Sequence, residues 1–228
     1  MNKVYVPSQG PGDWQQFLAE PDKQWKTGYS ARSLAYCWEE ANGFPASIKH
    51  AFAASALPEI ADLEPLLIIP EYKVPLPGGG RKSQNDAFIL ARNHSDLVAI
   101  TIEGKVDEPF GDLVSKWQPE SSPGKTERFE YLVKLLEIEG RELSGIYYQL
   151  LHRTVSALIE AERFNADIAM MLVHSFSQEH KWFDAYNDFL NVMGVENAAP
   201  NKVYSVGERS GKNLYVGWVV GEAQYLER

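Results

Sequence analysis

Residues 86–105 read DAFILARNHSDLVAITIEGK. Two runs of aliphatic and β-branched residues flank Asn93-His94-Ser95-Asp96, a set that favours turns, so the stretch reads as an antiparallel hairpin. The run from Val98 to Ile102 is apolar enough for a strand buried on both faces. Such a strand rarely carries ionised groups unless they are paired or functional, yet this one ends in Glu103 and Lys105. Side chains alternate along a strand, so Thr101, Glu103 and Lys105 share one face while Ile100, Ile102 and Gly104 share the other. With His94-Ser95 as a two-residue loop, Asn93 faces Asp96, and counting outward puts Asp86 directly opposite Glu103. Cβ atoms of such pairs lie about 4.5–5.5 Å apart.

Outward from the hairpin, the expected order is α/β. GDWQQFLAE, SARSLAYCWEEANGFP and ASIKHAFAAS read as helices, the second with Ser30 as N-cap and with Gly43 and Pro45 as its stop. These three are expected to pack across one edge of a sheet. LLIIPEYKVPL (66–76) reads as a first strand, with Pro70 and Pro75 marking an edge or bounded ends. GDLVSKW and TERFEYLVKLLEIE follow as short helices, and GIYYQLLHRTVSALIEAERF is the longest amphipathic helix. The apolar DIAMMLVHSF reads as a strand reached by a crossover, WFDAYNDFLNVMG as a helix, and KVYSVG and LYVGWVVGE as closing strands.

The chain has 228 residues, which suits a single domain over 1–228, with N-terminal helices over 1–60 and an α/β core with closing strands over 61–228. Its 44% hydrophobic and 23% charged residues exclude disorder as the expectation. No window offers the ~18–20 apolar residues of a membrane span, and MNKVYVPSQGPGDW lacks the apolar run of a secretory signal. A cytoplasmic protein is expected, with no membrane partner. The one cysteine, Cys37, excludes a disulfide framework and any Cys-rich zinc site, and reads as core. A net charge of −9 argues against a passive nucleic-acid-coating protein, because such affinity comes from Lys and Arg. A local basic patch is compatible with that negative average.

Two carboxylates placed as Asp86 and Glu103 are repel each other, and one titrates upward unless a cation fills the gap. Mg²⁺ suits the gap, since it takes oxygen ligands and uses only one or two protein carboxylates, leaving places for water and phosphate. Lys105 is then placed to serve a water or the charge developing on a phosphate.

Asp86 followed across a hairpin by Glu103-Gly104-Lys105 resembles the D…ExK signature of the PD-(D/E)XK nuclease superfamily, and the element order resembles its α-β-β-β-α-β core. That restriction-endonuclease-like core corresponds here to helix 30–41, strands 66–74, 86–92 and 97–105, helix 146–163 and strand 167–175. WKTGYSARSLAYCWEEANGFP and EGKVDEPFG are in addition similar to a family of uncharacterised bacterial proteins associated with that superfamily. One departure is Asn85 before Asp86, where the nuclease motif has Pro. The resemblance implies Mg²⁺- or Mn²⁺-dependent hydrolysis of nucleic-acid phosphodiesters, with Asp86 and Glu103 as metal ligands and Lys105 and Gln149 assisting catalysis. It also implies a further acidic ligand on the first core helix, Glu40 or its neighbour Glu39, and a nucleic acid as partner; a homodimer and a monomer are both open to the sequence. The rival expectation is a catalytically silent member of the fold acting as a binding module, its charges reduced to a buried ion pair.

Other candidates carry less. Gln149 and Arg153 lie i, i+4 on the long helix, where the resemblance places polar groups that touch the site or a phosphate and where an exposed polar face is the ordinary reading. Glu108 reads as a cap near Gly111-Asp112, with a place beside the metal as its alternative, and Glu71 as an ambiguous strand residue. His174, Glu179 and His180 match no metal-binding spacing, and His152 has no evident partner. PLPGGGRKS lacks the phosphate-loop pattern, though Arg81 and Lys82 are available to a phosphate backbone. Trp182, Phe183, Tyr186 and Phe189 form a stripe read as core packing.

Overall fold

The computed structural model describes residues 8–117 and 122–228. Residues 1–7, part of the stretch read as lacking a secretory signal, lie outside the described residues. The helices are α1 (Pro21–Gln24), α2 (Ser30–Ala41), α3 (Ala46–Ala54), α4 (Pro58–Ala61), α5 (Val114–Trp117), α6 (Pro123–Leu136), α7 (Tyr148–Arg163) and α8 (Phe183–Val192). The strands are β1 (Glu64–Val74), β2 (Ser83–Arg92), β3 (Leu97–Lys105), β4 (Ile168–Ser175), β5 (Lys202–Arg209) and β6 (Lys212–Val220). They form one mixed sheet in the order β1-β2-β3-β4-β6-β5, flanked by helices.

The hairpin forms as its sequence dictates. Asn93 Oδ1 accepts the amides of Ser95 and Asp96, both at 2.7 Å, and the Asn93 amide donates to the Asp96 carbonyl at 3.1 Å. This side-chain-stabilised turn fixes the register, with Arg92 opposite Leu97 and Ala87 opposite Ile102. From β3 the chain crosses through α7 to β4, which pairs parallel to β3; β4 is buried along its whole length.

Parity divides the core in two. Ile89, Ile100, Ile102, Met170 and Leu172 meet Leu34, Trp38, Phe44, Ile48 and Phe52 on one face. Phe88, Ala99, Met171, Val173 and Trp218 meet Leu132, Leu151, Val155, Leu158 and Phe189 on the other. The N-terminal helices therefore cover a face of the sheet, where an edge was expected, because α2 and α3 carry apolar surface too broad for one strand to bury. GDWQQFLAE is a 3-10 turn (Pro11–Phe17) that buries Trp14. The N-cap of α2 is Tyr29, with Ser30 already in the first turn, and the helix stops at Asn42, whose φ is 43°. Cys37 is buried as expected. His174 is a satisfied core histidine: its Nδ1 accepts the Trp38 indole N–H at 3.2 Å, and burial lowers its pKa to about 3. Glu179 and His180 are exposed.

Candidate active site

The row of carboxylates follows from two registers. β1 and β2 pair Pro70 with Ala87 and Tyr72 with Asn85, which leaves Glu71 opposite Asp86. β2 and β3 pair up to Ala87 and Ile102, and the next position outward sets Asp86 beside Glu103 where the ladder stops. Glu71, Asp86 and Glu103 thus lie across three neighbouring strands. Glu71 interrupts β1 with a φ of 50°, a left-handed conformation that costs a residue with a Cβ about 1–2 kcal/mol. Strain of this kind tends to gather at functional sites.

Glu103 and Lys105 share a face, as parity requires, and both are nearly inaccessible. Lys105 Nζ lies 2.5 Å from Glu103 Oε1 and sits over the Phe110 ring at 4.9 Å. Arg153 Nε lies 2.5 Å from Glu103 Oε2, and its Nη1 donates to Ser83 Oγ at 3.2 Å. Burial alone drives the Glu103 carboxyl up, but the charges of Arg153 and Lys105 outweigh it and hold it below the usual range.

The other two acids behave in the opposite sense. Burial, then the charges of Glu103 and Glu71, push Asp86 well above its ordinary value against the pull of Arg153 and Lys105. Its Oδ2 accepts the Gly104 amide at 2.6 Å. Burial raises Glu71 to about 7, although Gln84 Nε2 donates to its Oε2 at 2.6 Å and Arg153 acts to lower it. Gly104 eases this close approach, because a Cβ there would lie 3.2 Å from Asp86 Oδ2, tighter than most such contacts.

These groups line a cavity of about 470 Å³ where the β2–β3 ladder stops. Ser30 and Ala31 from the first turn of α2 and Gln149 from the first turn of α7 complete its wall. Neither helix has a side chain capping its N-terminus, so both present the positive end of their dipole at the wall. The Gln149 Oε1 is buried there without a hydrogen-bond partner.

Four expectations change. Glu40, on the last turn of α2 and about 14 Å along the helix from Ala31, pairs with Arg228 at 3.1 Å; Glu39 accepts the Trp14 indole N–H at 2.8 Å. Neither lines the cavity. Glu108 does line it, but its Oε2 accepts the amides of Val106 and Asp107 at 3.2 and 3.0 Å, ending β3 and capping no helix. Arg153 is buried, not on an exposed face, and Glu71 is a full member of the cluster. His152, behind the site, has its Nδ1 2.8 Å from Ser83 Oγ, and burial, then Arg153, lowers its pKa well below normal. Arg81 and Lys82 are exposed and outside the cavity wall.

For a divalent cation, the donor set is one of hard carboxylate oxygens, which suits Mg²⁺ or Mn²⁺ and not a soft metal. Among the described residues no three acidic, His or Cys side chains already stand at ligating positions, but Mg²⁺ requires only one or two.

Fold and site together define a mixed α/β protein with a recessed cavity lined by carboxylates and cations. The chain belongs to the family described as Domain of unknown function (DUF6946), whose profile matches residues 7–223. Neither a curated protein nor a solved structure matches it. Among the described residues no helix is long and apolar enough to cross a membrane.

Proposed function

We propose that this cavity hydrolyses phosphodiester bonds of nucleic acid in the cytosol with Mg²⁺ or Mn²⁺. The observation that carries the reading is the transverse row Glu71, Asp86 and Glu103 beside Lys105, on strands ordered as in the PD-(D/E)XK core. Buried like charges at such spacing are costly unless a cation compensates them, and the strained Glu71 backbone adds to that cost.

Asp86 and Glu103 would hold the cation. When bound, it supplies Lewis-acid polarisation of the phosphate and makes water a nucleophile near neutral pH. Lys105 donates to the phosphate oxygens as negative charge builds on them. Arg153 holds Glu103 ionised and fixes its direction. The unpartnered Gln149 Oε1 accepts from an O–H of the attacking water, which orients it. The uncapped ends of α2 and α7 favour an anion in the cavity.

A second reading has an observation of its own. Both Glu103 oxygens are taken by cations, Lys105 and Arg153, which suits a structural ion triad in a silent binding module. Incubation of labelled DNA and RNA with Mg²⁺, with Mn²⁺ and with chelator separates the two. Hydrolysis should need the cation and disappear in Glu103→Gln and Lys105→Ala with the circular dichroism spectrum unchanged. Cleavage persisting in chelator or in either variant refutes the assignment, and no cleavage of any substrate favours the silent module.

A further inference from the structure

We propose that the polymer entering this cavity is an unpaired polynucleotide strand, with one base stacked on Tyr29. The inference rests on the hydrolytic reading for the identity of the floor, and on a separate set of residues for the strand.

The first consideration is depth. The side chains of Glu103, Lys105 and Arg153 are 3%, 4% and 9% exposed, so a phosphate must descend to reach them. A cavity of about 470 Å³ holds something near the size of one drug-like molecule, which is the scale of a single nucleotide. A duplex carries its phosphates on a stiff convex wall with its bases stacked inside, and it cannot put one nucleotide into such a recess without unstacking it. A single strand or a frayed end pays no such cost.

The second consideration is the rim. Tyr29 lines the cavity and is 46% exposed; the other exposed large apolar side chain among the described residues, Leu66, is not part of the cavity wall. Lys26 Nζ lies over the Tyr29 ring at 5.7 Å. From there a series of cations and rings continues along α2: the Arg32 guanidinium lies 6.0 Å from the Trp25 ring and 5.7 Å from the Tyr36 ring, and Arg228 lies 5.9 Å from Tyr36. Lys23, paired with Glu20 at 3.0 Å, joins Tyr29 at the cavity wall. Aromatic faces alternating with cations are what a sequence-tolerant single-strand surface requires, bases stacking on rings while Lys and Arg meet phosphates.

The test is fluorescence anisotropy with the full chain, in chelator so that nothing is cleaved. The probes are a labelled oligothymidylate, a labelled oligouridylate and a labelled blunt DNA duplex. The single strands should bind roughly tenfold or more tightly than the duplex, and Tyr29→Ala should weaken the single strands by about tenfold while Tyr29→Phe changes little. Because Tyr29 is exposed, both variants should fold, as circular dichroism will verify. Binding by either the thymidylate or the uridylate strand supports the proposal, and a preference between them assigns the sugar. Equal or tighter binding of duplex, no binding of single strands, or indifference to Tyr29→Ala overturns it. The two readings fail separately. Tyr29-dependent strand binding without hydrolysis in Mg²⁺ or Mn²⁺ removes the chemistry and keeps the strand; metal-dependent cleavage of duplex that ignores Tyr29→Ala does the reverse.

Discussion

Replacing Asp86 with Asn isolates the charge that the site cannot easily bear without a metal. The carboxyl is partly buried in the cavity wall, and its pKa is raised by burial and by Glu103 and Glu71. A folded-state pKa above the unfolded one means that the native state binds the proton more tightly, so Asp86 costs stability increasingly as pH climbs from about 3.9 through the folded value. Asn has nearly the same shape, and its carbonyl oxygen still accepts the Gly104 amide, a bond of 2.6 Å in the wild type. In chelator at neutral pH the variant should therefore melt at the wild-type temperature or above, with the advantage shrinking near pH 4. Mg²⁺ reverses the order: a ligand at a hundredfold its Kd stabilises the native state by about 2.7 kcal/mol, roughly 5–10 °C in a domain of this size. Wild type should show that rise and Asp86→Asn should not. The assay is a thermal melt followed by circular dichroism, with Mg²⁺ and with chelator. A drop of several degrees for Asp86→Asn in chelator, together with no response of the wild type to Mg²⁺, would falsify the metal site and leave a structural charge cluster.

Three further outcomes are expected. Glu71, raised to about 7, contributes stability that is complete below about pH 4.5 and is lost as pH rises through 7; the loss is at most about 3 kcal/mol, and urea titrations in chelator should show it in wild type and not in Glu71→Gln. Arg153→Met leaves Glu103 buried with one cation, at a cost of about 3 kcal/mol in the denaturation midpoint, and an unchanged midpoint would show that Lys105 alone suffices. Glu40→Gln should leave any Mg²⁺ affinity measured by calorimetry as it was and alter stability by no more than about 0.5 kcal/mol, because its pair with Arg228 is partly exposed.

The hairpin shows what local sequence determines. Asn93 closes a turn whose bonds lie within four residues, so the parity and register of β2 and β3 follow, and Asp86, Glu103 and Lys105 with them. Glu71 was not accessible to the same count. Its register against β2 depends on residues 75–82, a loop too long to fix a pairing, and on a left-handed backbone that no residue at 71 announces. Glu40 illustrates a different limit: periodicity gives the face of a helix but not which end points at the sheet terminus, and here α2 points its first turn there. The helix pattern alone puts Arg153 on an exposed face, but α7 buries more than its apolar stripe. Arg153, Ser156 and Glu160 are also enclosed, each with polar partners that only the tertiary structure brings into reach.

Gly104 was described as the residue that makes room for Asp86, and the bond it donates gives it a second value. Its amide proton points at one oxygen of the partly buried carboxylate, so the electron density it meets changes when that carboxylate gains a proton or a cation. In a two-dimensional amide NMR spectrum, glycine nitrogens resonate apart from most other residues. The Gly104 cross-peak is thus a resident indicator of the state of the site, able to follow pH, metal and nucleotide titrations without a label attached to the protein.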